Sequence, residues 1–61
     1  MNRFLKAKII EKFGTQADFA IAAKVPEPVV SNVVRNRRTL DPPEQRYWAR
    51  LLESEPEELF K

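Results

Sequence analysis

The sequence has no cysteine and no histidine among its 61 residues, and each absence removes a branch of chemistry. Without cysteine there is no disulfide and no reactive thiolate. Without either residue, zinc-finger ligation is excluded, and any metal would rest on carboxylates alone. Catalysis would likewise fall to carboxylates, lysines or Tyr47, so the expectation is a protein that is not an enzyme. Long apolar runs are missing too. Stretches such as Ala20–Ala23 fall far short of the ~20 residues that span a bilayer, and Met1-Asn2-Arg3 opens no signal-peptide core. The reading is a cytoplasmic protein with no membrane contact. At this length one domain over residues 1–61 is expected, near the lower limit at which a core holds without a staple. That size leaves little room for a small-molecule pocket, and no cofactor is implied.

What is present is charge, unevenly placed. The formal net charge is only +2. Residues 1–13 carry Arg3, Lys6, Lys8 and Lys12 against Glu11, and residues 14–40 carry Lys24, Arg35, Arg37 and Arg38 against Asp18 and Glu27. Beyond them Asp41, Glu44, Glu53, Glu55, Glu57 and Glu58 outweigh Arg46, Arg50 and Lys61. The first two-thirds of the chain is therefore the side suited to phosphate. Lys6, Lys8 and Lys12 read mainly as solvated charge.

Strand signals are weak, because the β-branched cluster Val29–Val34 repeats at helical spacing and runs into a basic turn. An all-α protein follows, with helices expected at about 3–13, 16–23, 27–35, 42–53 and 56–60. Leu5, Ile9 and Phe13 share one face of the first helix, and Gly14 stands where a left-handed residue ends it. Thr15 with Asp18 forms a variant capping box for the second, whose buried face is Phe19, Ala20 and Ala23. Lys24-Val25-Pro26 breaks that helix. The third restarts with Pro26 and Pro28 in its opening turn and buries Val30, Val33 and Val34. Asn36-Arg37-Arg38-Thr39 is a basic turn. Asp41-Pro42-Pro43-Glu44 starts the fourth helix, with Trp48, Leu51 and Leu52 inward. Pro56, Glu57 and Glu58 open a short fifth, after which Leu59 and Phe60 close the core.

The stretch from Gln16 to Arg35, QADFAIAAKVPEPVVSNVVR, resembles the helix-turn-helix of the Cro and phage-repressor family, often called the XRE family. Its apolar positions are Phe19, Ala23, Val25, Val30 and Val33, with Ala20 as the small residue where two helices cross. Phe13-Gly14-Thr15-Gln16 before it, and Trp48 to Leu52 with Pro56 to Phe60 after it, are similar to the family's flanking elements. Two positions depart from that pattern. Lys24 stands where the turn commonly has a left-handed glycine, which costs roughly 1 kcal/mol, and Glu53-Ser54 replaces a usual glycine and apolar residue.

The resemblance implies a compact bundle of four to five short helices with helix 27–35 in the major groove of double-stranded DNA. It nominates Glu27, Pro28, Ser31 and Asn32 for base contact. Asn32 suits adenine, Ser31 both donates and accepts, Glu27 accepts from the amino group of cytosine, and Pro28 meets a thymine methyl. Gln16, Arg35, Asn36, Arg37 and Arg38 are nominated for phosphate. A near-palindromic operator bound by a homodimer follows from the family pattern, with Tyr47 and Phe60 as a self-association patch. Plainer roles stand beside these. Gln16 is also a good first-turn residue, Ser31 and Asn32 suit a solvated face, Arg35 could pair with an acid of the fourth helix, and Tyr47 could cap the domain's own core. The competing function is a protein-binding module on the same fold, such as an antitoxin or antirepressor partner, favoured by Glu27 and the two prolines at the start of the third helix.

Overall fold

The helices begin where the chain supplies a side-chain oxygen or a proline. In the computed structural model, which describes residues 1–60, they are α1 (Arg3–Phe13), α2 (Gln16–Ala23), α3 (Glu27–Val34), α4 (Pro42–Leu51) and α5 (Pro56–Leu59). Lys61, the last residue of the expected domain, lies outside the described residues. Asn2 caps α1 by accepting from the Leu5 amide at 3.0 Å, Thr15 Oγ1 caps α2 through the Asp18 amide at 3.0 Å, and Asp41 caps α4 through the Glu44 amide at 3.1 Å. Each bond satisfies an amide donor that the helix itself leaves unpaired. The return bond expected from Asp18 to Thr15 is not formed among the described residues, so that cap is one-sided. Pro26 sits at the N-cap of α3 and Pro28 in its first turn, where no amide donor is missed.

Three helices stop earlier than the apolar pattern suggests. The third was expected to reach 35, the fourth 53 and the fifth 60; they end at Val34, Leu51 and Leu59. The cause in α3 and α4 is a pair of Schellman turns with no glycine to announce them. After α3, the Arg37 amide reaches back to the Asn32 carbonyl at 2.8 Å and the Asn36 amide to Val33 at 3.1 Å. After α4, Ser54 bonds Ala49 at 2.9 Å and Glu53 bonds Arg50 at 3.1 Å. The turning residues Asn36 and Glu53 hold φ of 63° and 51°. Lys24 does the same after α2, with φ 61° and ψ 40°, as the missing turn glycine led one to expect.

The core is built from all five helices. Leu5, Ile9, Phe19, Val30, Val34, Trp48, Leu52 and Leu59 are fully buried, joined by Leu40 from the loop before α4 and by Ala49. An aromatic series crosses it. Phe13 meets Phe19 edge-on with centroids 5.2 Å apart, Phe19 meets Trp48 at 5.0 Å, and Trp48 meets Phe60 at 6.3 Å. Phe13, Leu51 and Phe60, expected inward, are only partly buried and pack on the margin of this cluster. One residue then ties three elements together. The Asn2 amide donates to the Val34 carbonyl at 2.7 Å, while its side chain donates to the Leu59 carbonyl. Among the described residues, no helix is long and apolar enough to cross a membrane.

Candidate nucleic-acid interface

Consecutive residues of a helix project about 100° apart, and in α3 this divides the side chains cleanly. Val30, Val33 and Val34 face the core, so Pro28, Ser31, Asn32 and the capping Arg35, spaced i, i+3, i+4 and i+7, fall on the opposite side. Pro28 and Arg35 are exposed, whereas Ser31 and Asn32 are half-buried by the neighbouring structure. Glu27 is exposed and lies at the margin of this face, nearest Ser31. Three of the residues nominated for base contact therefore share one outward face with Arg35, and the fourth borders it.

The basic turn is held in place at both ends. At its start, the amides of Arg37 and Arg38 converge on the Asn32 carbonyl at 2.8 and 3.3 Å, folding the chain back over the last turn of α3. At its end Leu40 is buried, and its carbonyl accepts from the Gln45 side chain at 3.0 Å. Between these anchors Arg35, Asn36, Arg37 and Arg38 are all exposed. The ion pair foreseen between Arg35 and an acid of α4 is not made. Lys8 pairs with Glu11 at 4.0 Å and Lys12 with Glu53 at 3.5 Å, and none of the three arginines has an acidic partner among the described residues. Their guanidinium donors face solvent and remain open to an external anion.

Gln16 opens α2 and is half-buried, on the helix that packs against α3. Tyr47 and Phe60 are not brought together by any contact among the described residues. The Tyr47 hydroxyl donates to the Ala22 carbonyl at 3.4 Å with the residue 40% exposed, while Phe60 packs against Trp48.

The match that places the chain covers this whole region: the family described as "Protein of unknown function (DUF739)" matches residues 2–61. The chain belongs to this family. No curated protein and no solved structure matches it. The family match includes the α3 face, the basic turn and Asn2, so the candidate interface and the clasp of Asn2 onto Val34 and Leu59 lie within the unit the family defines.

Two features of the region escape a reading of the sequence. Asn2 abuts the end of the third helix although 32 positions separate it from Val34, and nothing local in Met1-Asn2-Arg3 signals that. Ile21, outside the expected buried face of Phe19, Ala20 and Ala23, is 76% exposed on the outer side of α2, and no local signal says that no other element covers it. Among the described residues, no group of three or more acidic side chains is gathered to hold a metal ion.

Proposed function

We propose that the chain binds double-stranded DNA in a sequence-specific manner, as a transcriptional regulator of the Cro or phage-repressor type that acts in the cytoplasm without a cofactor and without catalysing a reaction. The observation that carries this reading is the pairing of an outward polar face on α3 with a turn of arginines that is hydrogen-bonded at both ends and has no acidic partner among the described residues. An α-helix with its side chains is about 10–12 Å across, which suits a major groove about 12 Å wide. Asn32 pairs with adenine, Ser31 adapts as donor or acceptor, Pro28 meets a thymine methyl, and Glu27 accepts from cytosine at the edge of the face. Arg35, Asn36, Arg37 and Arg38 follow the strand and fix register. Gln16 adds a phosphate contact from the start of α2.

Selection of duplexes from a random library, with an Arg37→Ala, Arg38→Ala double variant run beside the wild type, tests this. The expected result is enrichment of a near-palindromic sequence, with the variant weaker on all sites alike and its salt slope flatter by about 1.8, the sum of two phosphate contacts at ~0.9 each. Enrichment of nothing, with wild type no tighter than the variant, would overturn it. That outcome favours the second reading, a protein-binding module such as an antitoxin or antirepressor partner. What supports this alternative is the exposed Glu27 carboxylate, which repels phosphate, together with the bare Ile21 side chain.

A further inference from the structure

We infer that Arg3 is part of the phosphate-binding surface, carrying it from the Asn36–Arg38 turn across to the first turn of α1; this rests on the duplex-binding reading above. Four basic residues lie on α1, and the structure separates them. Lys8 is engaged by Glu11 at 4.0 Å and lies over the Phe4 ring at 5.9 Å, and Lys12 is engaged by Glu53 at 3.5 Å. Arg3 and Lys6 have no acidic partner among the described residues. What distinguishes Arg3 is its place. The residue before it is pinned by its backbone to the Val34 carbonyl at 2.7 Å, which sets the start of α1 against the end of α3. Arg3 and Asn36 consequently line the same open recess of about 360 Å³.

The recess also contains Glu58, whose carboxylate accepts from the Glu55 amide at 3.4 Å and forms no ion pair with Arg3. The guanidinium is thus next to an acid without being neutralised by direct contact. A phosphate oxygen pair offers it the planar, bidentate partner that the recess lacks. A strand passing over Asn36, Arg37 and Arg38 then meets Arg3 at the same edge of the molecule.

The test is the slope of log K against log salt on the duplex selected for the wild type. Arg3→Ala is expected to make that slope less negative by about 0.9, the value for one lost phosphate contact on B-form DNA, while Arg3→Lys keeps it. Lys12→Ala removes the same charge at the far end of α1 and is expected to leave the slope unchanged. Far-ultraviolet circular dichroism confirms that each variant is folded. A steep wild-type slope that Arg3→Ala does not alter, or an equal flattening by Lys12→Ala, overturns the role of Arg3 while duplex binding stands. Absence of duplex binding by the wild type itself overturns both.

Discussion

Lys24, Asn36 and Glu53 each turn the chain in a left-handed conformation that side chains with a β-carbon resist, and they do not resist it equally. Asparagine visits this region readily, whereas lysine and glutamate pay about 1 kcal/mol or more. Lys24 is exposed and has no ion pair among the described residues, so its side chain offers little to set against that cost. Lys24→Gly is expected to stabilise the domain by ~1 kcal/mol, which raises the melting temperature by roughly 4–8 °C in a domain of this size. Asn36→Gly is expected to change it by much less. Thermal denaturation followed by circular dichroism measures both, and a Lys24→Gly protein that melts at or below the wild type contradicts the strain. The strain at Lys24 was legible beforehand, because the resemblance to a family with glycine at that place marks the turn. Asn36 carries no such mark.

Among the elements, all five starts were legible but only two of the ends, those of α1 at Gly14 and of α2 at Lys24, for a physical reason. A helix begins through short-range chemistry, and Asn2, Thr15, Pro26, Asp41 and Pro56 declare it within a residue or two. α3 and α4 end through backbone turns at Asn36 and Glu53, with no glycine to mark them, and the apolar periodicity overruns both. The outward face of α3 was equally readable, since the helical period alone places Pro28, Ser31 and Asn32 opposite the valines. The joining of α1 to α3 and α5 was not, because it depends on where distant carbonyls come to rest. Asn2 serves that junction twice, as a cap and as a donor, and its two roles can be separated. Asn2→Ala loses both and is expected to cost about 1–3 kcal/mol, the sum of a lost cap and a lost hydrogen bond. Asn2→Asp keeps the acceptor that caps α1 but cannot donate to Leu59, leaving a carboxylate against a carbonyl. Urea unfolding is expected to show both variants destabilised; a wild-type midpoint for Asn2→Asp would mean that the bond to Leu59 carries no weight. Against a total of roughly 3–9 kcal/mol for a chain of this length, such losses are a large share.

For the whole molecule, size sets how many copies the proposed operator would take. The domain measures 23 × 22 × 20 Å, whereas successive half-sites on one face of a duplex lie about 34–36 Å apart. If the chain reads DNA as proposed, one copy takes one half-site, and a near-palindromic operator is expected to bind two, as sedimentation of protein with full and half operators would measure. If the exposed Tyr47 lies between the two copies, Tyr47→Ser weakens the second binding step and spares the half-site; equal loss on both would place Tyr47 in the fold instead. The clasp at Asn2 bears on the molecule in another way, through the order of events in time. Its side-chain bond to Leu59 joins residues 57 positions apart, so closing it early would cost the loop-closure entropy of nearly the entire chain. The core is therefore expected to assemble first and bring Asn2 to Leu59. A contact made that late leaves the folding rate almost untouched and slows unfolding by its own share of the stability, so the closure of Asn2 on Leu59 acts as a brake on unfolding, and Asn2→Asp is expected to unfold faster while folding at the wild-type rate.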